Sequence, residues 1–121
     1  MTEKQKSRKT AVEKAEVGLV RTRDGLPWQA FALVGFKESP ETWKLPHHTK
    51  GIFRAIQGKI GTEHTVDWEL MPGAVAALSR QGFEGERVQA DAHEILSAAF
   101  HLAAHYRKAD KPLPNTLAIL V

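Results

Sequence analysis

Cysteine is absent from this 121-residue chain. That absence excludes disulfide bonds, thiolate zinc sites and cysteine nucleophiles, and it fits a reducing compartment. Long apolar runs are missing too: none approaches the roughly 20 residues of a membrane-spanning helix. No apolar segment follows the basic N-terminus as it would in a signal peptide. We therefore expect a soluble cytoplasmic protein without a membrane partner.

Familiar catalytic patterns are also absent from the sequence. It has no Gly-x-x-x-x-Gly-Lys loop for phosphates and no Gly-x-Ser-x-Gly elbow. None of its four serines has a histidine at a recognised spacing. We therefore predict a protein that is not an enzyme, with no cofactor and no small-molecule substrate.

Net charge is confined to one end of the chain. Residues 1–14 carry five basic and two acidic side chains, so they account for the whole net charge of +3. We predict a flexible basic arm over 1–14 and a single globular domain over 15–121, and we favour a solvated chain end. The alternative is an arm that binds nucleic acid by counterion release, helped by Arg21 and Arg23. The basic residues of the arm are Lys4, Lys6, Arg8, Lys9 and Lys14.

An α+β fold is the prediction for the domain, with a small N-terminal β-hairpin or sheet packed on two to three helices. Alternating apolar residues over 17–21 predict the first strand of the hairpin, and Trp28–Val34 predicts the second. Asp24-Gly25 between them is typical of a tight turn, because glycine reaches positive φ at no steric cost.

Further elements follow from local patterns. Residues 49–58 predict a short helix, with Gly58 at its end, and extended structure is the alternative. The alternation of Val66, Trp68 and Leu70 predicts a strand with one buried face. Pro72 suits the first turn of a helix that stops by Gly82.

The longest helix is predicted over about 90–108. Asp91 and Glu94 form a capping-box pattern at its start, and an apolar stripe runs along its length. After it, the apolar end of the chain predicts a final strand in the chain's own sheet. The alternative is strand exchange with a second subunit, through the interface residues Leu117, Ile119 and Val121.

Three short motifs occur in order along the chain: Lys-Leu-Pro-His-His at 44–48, Gly-Ala-Val-Ala-Ala-Leu at 73–78, and His-Leu-x-x-His-Tyr at 101–106. Together they resemble a small helical module of tailed-bacteriophage head-region proteins, often found at the end of the prohead protease. The resemblance implies a phage or prophage structural module, with protein partners or self-association and no attached activity. It also implies a location in an infected or lysogenic bacterial cell or in association with the virion. Residues 50–64 depart from that pattern as an insertion. We interpret the motif residues as a fold signature: Trp43, Leu45, Pro46, His47, His48, Trp68 and Tyr106.

Six histidines are the remaining candidates for chemistry. His101 and His105 lie four apart on the predicted helix and share a face, with His93 two turns upstream. These three define the alternative of a metal-dependent enzyme, although we favour a hydrogen-bonded histidine face with no metal. Neighbouring side chains of an extended segment point to opposite sides, so His47 and His48 are not expected to chelate one ion together.

Overall fold

The computed structural model describes residues 7–9, 11–12 and 20–121. Strands β1 and β2 pair in parallel, and strands β3 and β4 form an antiparallel pair. The α+β class is confirmed, as is the position of the longest helix. The elements are β1 (Ser7–Lys9), β2 (Ala11–Val12), β3 (Phe31–Val34), β4 (Trp43–Pro46), α1 (Ile52–Ile56), α2 (Met71–Ala77), α3 (Ala92–Lys108) and α4 (Asn115–Leu120).

The sheet at the centre of the domain joins β3 to β4, in a register that pairs Phe31 with Pro46 and Leu33 with Lys44. The sequence predicted that β3 would pair with residues 17–21. For residues 20 and 21, which the structure describes, this is wrong, because they form no strand. Residues 17–19 lie outside the described part of the chain. Strand β4, with buried Trp43 and Leu45, offers a larger apolar partner than 17–21.

The turn at Asp24-Gly25 is confirmed. Both residues have positive φ, 55° and 79°, and Arg23 and Leu26 form the bridge that closes the turn. The Arg23 guanidinium donates to the carbonyls of Pro40 and Glu41, at 3.1 and 3.0 Å. The turn is therefore tied to the loop between β3 and β4 rather than to a preceding strand.

All three helices predicted from the sequence are present. Helix α1 lies inside the predicted 49–58 segment, and Gly58 follows it with a φ of 78°. Pro72 is in the first turn of α2. Helix α3 begins with a complete capping box, in which the Asp91 carboxylate accepts from the Glu94 N–H at 2.8 Å and the Glu94 carboxylate accepts from the Asp91 N–H at 3.0 Å.

Two predicted strands are wrong. At 66–70 the Asp67 carboxylate accepts from the Glu69 N–H at 3.0 Å, which bends the chain into a turn, and only Val66 keeps a bridge, to His48. The end of the chain forms α4 instead of a strand, since an apolar run this short suits either structure and the choice depends on packing. Leu117 is fully buried against α3.

The main core lies between the β3–β4 sheet and helices α2, α3 and α4. Phe31, Trp43 and Ile52 belong to a second, smaller core. Within the described ranges, no helix combines the length and apolarity required to cross a membrane. The fully buried large apolar residues of the two cores are Trp43, Ile52, Met71, Leu78, Leu102 and Leu117.

Candidate metal centre

Four histidines from two distant parts of the chain meet between the end of β4 and helix α3. The ring centroids of His47 and His48 are 4.4 Å apart, and those of His101 and His105 are 4.9 Å apart. Across the two pairs, His47 lies 5.0 Å from both His101 and His105, and His48 lies 5.1 Å from His105. A ring nitrogen from each of His47, His48 and His105 lies within 4.8 Å of the others.

Helix α3 supplies one side of this histidine cluster by its periodicity. His101 and His105 are one turn apart, so their side chains project from the same face. His105 is 5% exposed, whereas His101 lies at the rim and is exposed to solvent.

The segment after β4 supplies the other side, and backbone hydrogen bonds hold it from both flanks. The His47 N–H donates to the Ala30 carbonyl at 2.9 Å, and the His47 carbonyl accepts from the Asp67 N–H at 2.8 Å. The Thr49 N–H donates to the Thr65 carbonyl at 2.7 Å. Because regular strand geometry ends at Pro46, the usual alternation of sides does not extend to the two histidines.

Hydrogen bonds fix the tautomers of His47 and His48. Nδ1 of His47 lies 3.1 Å from the carbonyl oxygen of Leu45, which can only accept, so Nδ1 carries the proton. Nδ1 of His48 lies 2.7 Å from Thr65 Oγ1. Since Thr65 donates its own proton to the Thr62 carbonyl at 2.7 Å, its oxygen accepts from His48. In both neutral rings, Nε2 therefore carries a lone pair, and that of His47 lies within hydrogen-bond distance of Nε2 of His101, at 3.1 Å.

His105 is fixed in the same way by a carboxylate. Its Nδ1 donates to both carboxylate oxygens of Glu63, each at 3.0 Å. Lys108 approaches the same carboxylate at 3.7 Å. The Nε2 atom of His105 is buried and, among the described residues, has no hydrogen-bond partner. A buried polar atom without a partner costs on the order of 1–3 kcal/mol, so its retention calls for an explanation.

The surroundings of His47, His48 and His101 favour neutral imidazoles. Burial, together with the neighbouring His48 ring, lowers the pKa of His47 to about 2. Burial and the positive charge that His105 would carry lower the pKa of His48 to about 4, and the same two causes lower the pKa of His101. Neutral rings are the form in which histidine binds metal ions.

The spacing of His47, His48 and His105 suits one metal ion, because a ligand atom of each lies within 4.8 Å of the other two. His101 is not part of this group of three, but its Nε2 lies 3.1 Å from Nε2 of His47. Two nitrogens bound tetrahedrally to one zinc ion at about 2.0–2.1 Å would be separated by roughly 3.3–3.4 Å. The Nδ1 atoms of the three buried histidines donate to a carboxylate, a carbonyl and a hydroxyl. Histidines that bind metal ions in proteins commonly make such hydrogen bonds with their other ring nitrogen.

The sequence analysis identified only part of this cluster. It placed His101 and His105 on one face, and the structure does so; it grouped them with His93, which is exposed near the start of α3 and lies outside the cluster. It set His47 and His48 on opposite sides, which is wrong for the reason given above. Glu63 and Thr65 were missed, because their roles depend on contacts across 42 and 17 residues of sequence.

Other motif residues have structural roles. Trp43 and Leu45 are buried, as predicted, and the Trp43 indole donates to the Phe36 carbonyl at 2.8 Å. Trp68 and Tyr106 pack edge to face with centroids 5.1 Å apart. A residue that precedes a proline is normally extended, but Leu45, before Pro46, has a φ of 65°. This unfavourable conformation turns the chain just before the histidines, and the Leu45 carbonyl is the acceptor for His47.

The remaining predicted residues do not join the cluster. Lys4, Lys6 and Lys14 lie outside the described residues, as do the side chains of Arg8 and Lys9. Arg21 donates to the Glu38 carbonyl at 2.8 Å, and Arg23 holds the β3–β4 loop. At the end of the chain, Leu117 is buried in the core, Ile119 is 82% exposed and Val121 is partly buried.

Comparison of the chain with protein-family models, curated proteins and solved structures gives no match. The candidate function is therefore argued from the geometry of the histidine cluster.

Proposed function

We propose that this protein binds one transition-metal ion of the zinc class through His47, His48 and His105, with His101 as the fourth ligand. The observation that carries the proposal is the buried set of three histidines whose Nδ1 atoms are all committed to protein acceptors. Their Nε2 lone pairs point into one small space, where a single cation can bind all three.

The donor set narrows the choice of ion. Imidazole nitrogen suits zinc, copper, nickel and iron, whereas calcium and magnesium require oxygen ligands. Four neutral imidazoles can bind a divalent ion. The Glu63 carboxylate, which accepts a hydrogen bond from His105, balances part of the charge of that ion. Zinc adapts to a four-nitrogen site without redox chemistry, so it is the ion we propose.

The ion would join two parts of the fold that are 54 residues apart in sequence. Such a site stabilises the folded state, because the unfolded chain does not hold the ligands together. We therefore propose a structural role for the metal, within a non-enzymatic module. Its setting in a phage or prophage head region remains a proposal that rests on the motif resemblance.

Metal content of the purified full chain, prepared without a histidine tag, tests this function. We expect one zinc per chain after zinc loading and desalting. The variants His47→Ala and His105→Ala should lose stoichiometric zinc, and His93→Ala is the matched control, since His93 lies exposed on the same helix. Circular dichroism checks that each variant folds. Weak zinc binding that is equal in all four proteins would refute the proposal.

A second candidate function, assembly through protein contacts, rests on the outer face of α3. Leu96 and Phe100 are 40% and 51% exposed and lie one turn apart on that face. Light scattering of the wild type at high concentration should show self-association that Phe100→Glu abolishes. A monomer at every concentration would contradict self-association.

A further inference from the structure

The four histidines of the cluster are not equivalent. His47, His48 and His105 are 0%, 2% and 5% exposed, and each has its Nδ1 fixed by a protein acceptor. His101 is exposed, and its contact to the cluster is the 3.1 Å approach of its Nε2 to Nε2 of His47. No acceptor among the described residues holds its Nδ1.

We therefore expect the buried histidines and His101 to bind a metal ion with different strengths. A ligand whose ring is buried and hydrogen-bonded is already oriented, and losing it would leave an unsatisfied polar atom inside the protein. When His101 leaves a metal ion, it turns into solvent, where water satisfies both of its nitrogens. The cost of releasing His101 is therefore the smallest of the four.

We infer that His101 is an exchangeable ligand, and that the coordination position it fills can instead be taken by a small monodentate anion from solution. This inference rests on the metal-binding function proposed above. Three buried protein ligands would still join the two parts of the fold, while the fourth coordination position stays open to a ligand from solution.

The charge around the site favours an anion over a neutral ligand. Three neutral imidazoles leave the charge of a divalent ion unchanged, and the nearby Glu63 carboxylate is shared with Lys108 at the rim of the site. Lys108 is 64% exposed at its side chain and adds positive charge where a ligand would enter. The ligand class is therefore small anions such as azide or thiocyanate, with water or hydroxide in their absence.

Cobalt(II) in the full chain is the probe, because its visible absorption reports coordination number and ligand identity. Titration of the cobalt-loaded wild type with sodium azide should give a saturable change in the visible spectrum while cobalt remains bound at one per chain. His101→Ala and His101→Gln should still bind one cobalt and should bind azide about tenfold or more tightly, since the competing internal ligand is gone. His93→Ala should behave like the wild type.

The outcomes separate the two proposals. If the wild type and both His101 variants bind cobalt but their spectra do not respond to azide, the exchangeable position is disproved and the metal site stands. Azide that strips cobalt from the protein, measured as metal lost on desalting, also disproves it. If His101→Ala shows the same azide affinity as the wild type, His101 is not the ligand that exchanges. If neither cobalt nor zinc binds the wild type, both proposals fail.

Discussion

Nε2 of His47 and Nε2 of His101 lie 3.1 Å apart, although 54 residues of sequence separate them. Their approach joins the segment after β4 to helix α3. Each of these nitrogens is the natural metal-binding atom of its ring when Nδ1 is protonated, and for His47 the Leu45 carbonyl enforces that state. The four predictions below depend on this junction or on the fold that supports it.

Zinc should stabilise the folded protein. At a free zinc concentration 1,000 times the dissociation constant, linkage gives about 4 kcal/mol of added stability, provided that the unfolded chain binds zinc weakly. Thermal unfolding with buffered zinc and with a chelator should therefore give clearly different midpoints. The difference should disappear in His105→Ala and persist in His93→Ala. Equal midpoints for the wild type under both conditions would contradict the structural role.

Glu63→Gln should weaken zinc binding by about 10–100-fold without removing a ligand. The amide of glutamine can still accept from Nδ1 of His105, but it lacks the negative charge that raises the basicity of the ring. Competition with a chromophoric chelator measures the affinity. Glu69→Gln is the control, since Glu69 is exposed and makes no side-chain contact with a histidine among the described residues. If Glu63→Gln binds zinc as tightly as Glu69→Gln does, Glu63 does not contribute to the metal site.

The metal-free protein should lose stability as the pH falls below about 6.5, the usual histidine pKa of the unfolded chain. The pKa of His48 is lowered to about 4 and that of His47 to about 2 in the folded state. Between these values the unfolded chain binds more protons, so stability rises with pH across this window and levels off above it.

Denaturant midpoints from pH 8 to pH 4, measured with a chelator present, check this prediction. Between pH 6.5 and pH 4, His48→Gln should lose less stability than the wild type. The variant lacks one side chain that is protonated in the unfolded chain but neutral in the folded state. His93→Gln should keep the wild-type profile. A flat wild-type profile across that range would show that the buried rings titrate normally.

Gly82→Ala should destabilise the protein more than Gly85→Ala does. Both glycines have positive φ, 75° and 85°, so alanine at either site is strained by about 1–2 kcal/mol. At Gly82 an added Cβ would also overlap the backbone of Glu86 and Arg87, whereas at Gly85 it meets open space. We expect a loss of about 3 kcal/mol or more at Gly82, in the range produced by steric strain. If chemical denaturation gives the same loss of unfolding free energy for both variants, the close approach of Gly82 to the backbone of Glu86 and Arg87 is contradicted.

Local features of the fold were predictable because their causes lie within a few residues. The capping box at Asp91 and Glu94, the turn at Asp24-Gly25 and the first turn at Pro72 all depend on side-chain chemistry at fixed short spacing. The common face of His101 and His105 follows from helical periodicity alone.

The sheet partner of β3, the helical end of the chain and the histidine cluster depended on packing. Phe31–Val34 pairs with Trp43–Pro46, a strand whose Trp43 and Leu45 side chains are buried. Short apolar runs such as 117–121 fit either a strand or a helix until packing selects one. By itself, the sequence determined that this protein has no thiol chemistry and a capped helix with two histidines on one face. The tertiary structure alone brought His47, His48 and Glu63 to that face, because no local interaction reaches across 42 to 54 residues.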